Sequence, residues 1–111
     1  MIYTILLFLR ITCIIENIVY LELLRGGYEI TIGKVDNLEV DFVCKKQNKP
    51  IYIQVSYLLA SEETIEREFK PLKNIPDNYP KYVITLDDWD MSHDGIIHLN
   101  LIDFLMDNEV I

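Results

Sequence analysis

From Ile11 to Leu24 the apolar residues fall nearly all round a helix, with Glu16, Asn17 and Glu22 as the polar exceptions. Such a helix is covered on more than one side. Gly26 and Gly27 end it, since glycine accepts the left-handed backbone of a helix stop. The run MIYTILLFL continues the same apolar character ahead of it, as a lead-in helix over 1–15. Tyr28, Ile30 and Ile32 then alternate with Glu29, Thr31 and Gly33, a period of two that predicts a strand, and Asp36-Asn37 supplies turn chemistry for a hairpin. On the return strand Leu38, Val40, Phe42 and Cys44 are expected to share one face, leaving Glu39, Asp41 and Val43 on the other. A Lys-Lys-Gln-Asn-Lys-Pro loop leads to a third strand. It sets Ile51, Ile53, Val55 and Tyr57 against Tyr52, Gln54 and Ser56.

Ser61 followed by Glu62 and Glu63 is a helix start: the hydroxyl caps a free backbone N–H and the carboxylates suit the positive end of the dipole. Ile65, Phe69 and Leu72 mark its buried stripe, Glu63 with Arg67 and Glu66 with Lys70 are expected as outer four-residue pairs, and Pro71 and Pro76 close it. Tyr82 to Leu86 is a β-branched and aromatic run, a buried strand. Ile96 to Leu99 is read as a short further strand and Leu101 to Met106 as a final helix. The expected fold class is α/β, in the order α-β-β-β-α-β-(β)-α, with a mixed sheet begun by a β-hairpin and no linker or repeat dividing residues 1–111.

The 111 residues make one domain or a piece of a larger protein. Charge changes the picture more than length does. Residues 1–50 hold six basic and six acidic side chains and residues 51–111 hold four and twelve, so the second half carries the whole net charge of −8. That argues against a passive nucleic-acid coat, which needs a cationic footprint. Any surface that meets a polyanion comes from Arg25, Lys34, Lys45, Lys46 and Lys49, although lysines flanking strand ends also serve solubility alone. Cys13 and Cys44 match no zinc or redox spacing and read as free thiols. The apolar start breaks at Arg10, short of the roughly 20 residues that span a bilayer, and lacks the features of a secretory signal, so a cytoplasmic protein with no membrane partner is expected.

Gly33-Lys34 is no phosphate loop, because no glycine stands at the required distance before it. In the loop DDWDMSHDG, Asp88, Asp90, Ser92 and Asp94 alternate as in a calcium loop, but His93 takes the place of the sharp-turn glycine and Leu99 that of the closing acid. A solvated acidic loop is the better reading. His93 and His98 lack helical metal-ligand spacing. The set that remains is Glu16 on the first helix, Asp41 on the second strand, and Gln54 with Ser56 on the third. A magnesium-dependent phosphodiesterase holds its metal through such carboxylates and needs a nearby cation against the charge of the transition state. Gln54 can offer a carbonyl, whereas Ser56 cannot replace an ammonium. Arg67 is the candidate migrated cation, with Lys45 or Lys46 second. The plainer alternatives are that Arg67 pairs with Glu63 and that Asp41, Gln54 and Ser56 form an ordinary polar strand face.

The strings ENIVYLELLRGGYEITIGKVDNLEVDFVCKK, IYIQVSYLLASEETIEREFKPL, DNYPKYVITLDD and DGIIHLNLIDFL, spanning Glu16 to Leu105, resemble the C-terminal domain of a large group of prokaryotic AAA-type ATPases. That domain is of unknown function and is related to the restriction-endonuclease-like, PD-(D/E)XK, fold. The resemblance implies a nuclease-like core in which Glu16 matches the helical acid, Asp41 the strand aspartate, and Gln54 and Ser56 the acid-x-lysine positions. It makes Glu16 and Asp41 the metal ligands, Mg²⁺ the possible cofactor, and Lys34, Lys45, Lys46 and Lys49 the candidate DNA contacts. The expected partner is an ATPase module of the same or an adjacent polypeptide, of which this chain is a C-terminal piece. The Gln-x-Ser form departs from the active-nuclease pattern. It favours nucleic-acid or protein recognition without efficient cleavage over a divergent nuclease using Glu16, Asp41, Gln54 and Arg67. A purely structural docking or oligomerisation module is the third reading.

Overall fold

The computed structural model describes residues 2–35, 38–107 and 111. The Asp36-Asn37 turn expected from the sequence lies outside them. The chain forms α1 (Ile2–Arg25), β1 (Glu29–Val35), β2 (Leu38–Lys46), β3 (Lys49–Val55), α2 (Glu62–Lys73), β4 (Lys81–Thr85), β5 (Ile97–Asn100) and α3 (Leu101–Met106). The five strands lie in sequence order, β1-β2-β3-β4-β5. β1, β2 and β3 are antiparallel neighbours, while β3, β4 and β5 run parallel. The fold is therefore mixed α/β, as the alternation of patterns predicts.

Two cores result, one on each face of the sheet. Ile15, Val19 and Leu23 of α1 and Leu101 and Phe104 of α3 cover Phe42, Cys44, Ile51, Ile53, Val55, Tyr82 and Ile84. On the other face Phe69 and Leu72 of α2 pack with Val40, Tyr52, Leu59, Ile75, Val83 and Ile96. Ser61 caps α2 as expected, its Oγ accepting from the Thr64 N–H at 3.2 Å. Asn100 does the same for α3 by accepting from the Ile102 and Asp103 amides. Cys44 is a buried free thiol and Cys13 an exposed one.

Four local expectations are corrected. Val40 does not share a face with Phe42 and Cys44. Thr31 stands opposite Val43 and Gly33 opposite Val40, so one residue of β1 spans two of β2, Asp41 and Phe42. This bulge turns Val40 into the α2 core and leaves Ile32 largely exposed. The Lys45–Pro50 segment is not a loop but a tight hairpin, Lys46 opposite Lys49. Its two turn residues, Gln47 and Asn48, both hold positive φ (54° and 62°), as a turn matching the strand twist requires. Pro71 does not close α2 but lies inside its last turn, where it removes a single helical N–H donor. Finally, Arg67 approaches Glu68 (Nε to Oε1, 3.7 Å) and not Glu63.

Candidate functional site

The bulge in β2 is where the sheet opens. The β2–β3 ladder ends at the Phe42–Ile53 pair, while β3 stays paired to β4 through Gln54 and Val55. Beyond that pair the two strands are joined by side chains instead of a backbone ladder. The Asp41 N–H donates to Gln54 Oε1 at 2.8 Å, and the Val55 N–H donates to Asp41 Oδ2 at 2.8 Å. Each side chain thus satisfies a main-chain amide that the splayed strands leave without a ladder partner. Gln54 is 5% exposed, and its Nε2 donates to the Glu68 carbonyl of α2 at 3.4 Å.

Around this latch three carboxylates come from three elements. Glu16 reaches it from α1, Asp41 lies in β2, and Glu68 reaches it from α2. Burial pushes the Asp41 carboxyl up, opposed by the Val55 N–H. Burial and then repulsion from Asp41 raise Glu16. Glu68 is pushed up to about 7, by burial first and then by Asp41, against the pull of Arg67, with Glu16 adding the smallest push upward. Buried like charges without a central cation disfavour ionisation of every member. Beside the cluster a cleft of about 520 Å³ opens between α1 and the β1–β2 hairpin, lined by Glu16, Asn17, Tyr20, Ile32, Val40 and Asp41 among others.

The residues named from the sequence separate into two groups. Glu16, Asp41 and Gln54 are gathered as expected. Ser56 lies buried just past β3, its N–H donating to the Ile84 carbonyl at 3.1 Å. Arg67 projects to solvent with its side chain 68% exposed and meets Glu68 at the surface. The lysines fall at two places along the strands. Lys34 stands opposite Glu39, near the bulge, whereas Lys45, Lys46 and Lys49 lie at the β2–β3 turn. Four residues of extended strand separate Lys45 from Asp41, roughly 14 Å. Lys46 is also engaged locally, donating to the Gly26 carbonyl at 2.7 Å and lying over the Tyr28 ring.

Glu68 is the site residue the sequence reading missed. At 100° per residue it falls within about 60° of both Ile65 and Leu72 on the helix wheel, a signal that could have found it. Among the described residues no three His, Cys, Asp or Glu side chains are placed to hold a metal ion. One oxygen of Asp41 and the carbonyl of Gln54 already accept from backbone amides, so the ligand set expected for Mg²⁺ is partly committed to the strands.

A second polar cluster sits at the far side of the sheet. The Met91 N–H donates to His98 Nδ1 at 3.0 Å, which leaves the proton on Nε2, 2.7 Å from Thr85 Oγ1. Thr85 in turn donates to Asp87 Oδ2 at 2.7 Å, and that oxygen also accepts from the Leu59 N–H. Burial holds His98 below the usual histidine range, against the pull of Asp87 and Asp90. These groups staple the 86–96 connection to β4 and β5, with both His98 ring nitrogens, Thr85 Oγ1 and Asp87 Oδ2 engaged within it.

The chain is 39% identical over 93 residues to an uncharacterized protein of Haemophilus influenzae. The match covers 83% of this chain and 22% of that relative, so the chain spans about a fifth of its length. No family model matches the chain, and no solved structure matches it.

The latch makes a prediction of its own. Gln54→Leu keeps the volume but deprives the Asp41 N–H of its acceptor, and a partly buried donor left unpaired costs about 1–3 kcal/mol. Urea unfolding should show that loss. A change below about 0.5 kcal/mol, the low end for a net hydrogen bond, would mean that water replaces the glutamine.

Proposed function

We propose that this domain is a nuclease-derived accessory domain of a larger AAA-type ATPase assembly, acting by protein recognition and not by cleavage. The observation that carries the reading is the exchange between Asp41 and Gln54: the groups a nuclease directs at its metal here satisfy main-chain amides of the splayed strands. Three further features support it. The order of elements and the opening of the sheet at an acid suit a restriction-endonuclease-like core, Ser56 stands buried where that core would carry its ammonium, and Arg67, the candidate replacement on the next helix, faces solvent. With a neutral Ser56 in place of an ammonium and the Arg67 guanidinium in solvent, the protein's own side chains bring no positive charge to a pentacoordinate phosphate, a contribution of several kcal/mol. A cleft edged by Glu16 and Asp41 on a chain of net charge −8 repels a polyanion and suits a cationic protein segment.

The alternative is a divergent Mg²⁺-dependent nuclease. One observation favours it: Glu68 lies near enough to Asp41 and Glu16 to feel their charge, and a shift of these three side chains toward one another would be needed to hold the metal. Incubation of the purified chain with supercoiled plasmid and Mg²⁺ or Mn²⁺ decides between the two. The expected result is no nicking above buffer by the chain or by Asp41→Ala. Cleavage that the Asp41→Ala variant loses would overturn the proposal.

A further inference from the structure

β5 is the last strand of the sheet, so its outward-facing amides have no further strand to pair with. The connection that precedes it, residues 86–96, folds back along that edge. The His98 N–H donates to Ser92 Oγ at 2.7 Å, and Ser92 is itself fixed by Asp90, whose Oδ1 accepts from the Ser92 N–H at 2.8 Å. Farther on, His93 and Ile96 exchange backbone hydrogen bonds, and Met91 packs against the core under α2. The segment guards the edge: it covers polar groups that would otherwise invite another strand.

A histidine fastens the guard at its centre. His98 is buried, and its Nδ1 accepts the Met91 N–H at 3.0 Å. That bond exists only while Nδ1 is bare, because an imidazolium is a donor at both nitrogens. His93 has the opposite requirement: its Nδ1 stands 2.9 Å from the Met91 carbonyl and bonds it only with a proton in place. Two imidazoles thus hold the backbone of Met91, and of the two bonds only that to His98 is lost when the rings become charged.

We infer that His98 is a proton-operated catch: a charged ring lets go of the Met91 amide, and the 88–92 segment leaves the edge of β5. Burial dominates the surroundings of the docked ring and holds it below its ordinary value of 6.5, against Asp87, Asp90 and the Trp89 carbonyl, which favour the charge. Asp88 of the connection and Asp103 of α3 line the same small cleft, and β4 meets the ring with Thr85. α2 presents Phe69 and Lys73 to the connection, the first stacked on His93 and the second 3.1 Å from Asp94. Once the segment is free the ring returns to water and regains its ordinary affinity for a proton. Acid therefore favours the released form and neutral pH the docked one. The inference goes beyond the nuclease-derived reading and does not depend on it, because it uses no residue of the cluster around Asp41.

Amide hydrogen exchange on the whole chain, corrected for the intrinsic rate at each pH, tests it. The Met91 and His98 amides should lose protection by about tenfold for each pH unit below 6.5, while those of Val83 and Ile84 in β4 hold theirs. His98→Asn places an amide oxygen where Nδ1 stood, an acceptor that does not titrate, and should keep the protection constant over the same range. Nitrogen NMR of the imidazoles in the unaltered protein serves where that variant does not fold. His98 should carry its proton on Nε2 at pH 7.5 and charge over the interval in which Met91 loses protection. Equal protection of Met91 at pH 7.5 and pH 5 overturns the inference, as does a proton on Nδ1 at neutral pH. So do an undiminished pH dependence in a folded His98→Asn variant and a loss of protection in β4 that keeps step with Met91.

Discussion

Glu68→Gln is expected to stabilise the domain by about 2–3 kcal/mol at pH 8 and to leave it unchanged at pH 4. The ordinary carboxyl value of 4.5 rises to about 7 in the folded chain. A tenfold change in proton affinity is worth about 1.4 kcal/mol. The side chain is 16% exposed, which trims the full amount slightly. The sign follows from linkage: a carboxyl raised on folding binds its proton more tightly in the native state, so its favourable contribution is complete below 4.5 and disappears as pH climbs through 7. Glutamine keeps the shape and never ionises. The loss of the Arg67 contact costs little, because that arginine is mostly in water. Urea unfolding at pH 4, 6 and 8 should show the difference opening between the first two and levelling off at the third. A constant difference would mean that Glu68 is not confined with Asp41 and Glu16.

Phe69→Ala is the largest loss expected, about 3–5 kcal/mol, the range for emptying an aromatic site in a packed core. Phe69 is fully buried between α2 and the sheet, among Leu72, Val83 and Ile96, and its ring stacks on that of His93 with centroids 4.2 Å apart. Domains of this size have about 5–15 kcal/mol in all. The substitution also frees the turn in which His93 and Ile96 exchange backbone hydrogen bonds. Those two amides should therefore exchange with solvent ahead of β4. A loss under about 1.5 kcal/mol, no more than the removal of one buried methyl group, would show that α2 closes over the vacancy.

The element order was legible because each segment carries its own period. The stripe Ile65–Phe69–Leu72, the cap at Ser61 and the alternation at Ile51–Val55 are all local signals. The face taken by Val40 was not legible, since the bulge that turns it depends on how β2 meets β1, and no pattern within β2 reports that. Gln47-Asn48 lacked the glycine that usually announces a two-residue turn, so the hairpin was hidden in a polar run. At the site, Glu16, Asp41 and Gln54 stood out as polar interruptions of apolar runs. Glu68 was masked by its charged neighbours Glu66, Arg67 and Lys70, and only the helix wheel distinguishes its inward position. The Arg67 partner could not be chosen from spacing, because Glu63 and Glu68 are both within reach of a long side chain.

The strand order has a consequence for how the molecule is made. Every strand borders the one synthesised just before it, so the sheet can lengthen at a single growing rim and no strand has to be threaded between two already in place. The first three strands close through brief connections, whereas β4 returns only after α2, and closing that longer excursion carries the greater entropic cost. Nucleation is thus expected in the N-terminal meander, with α2 and β4 arriving together as the slow step.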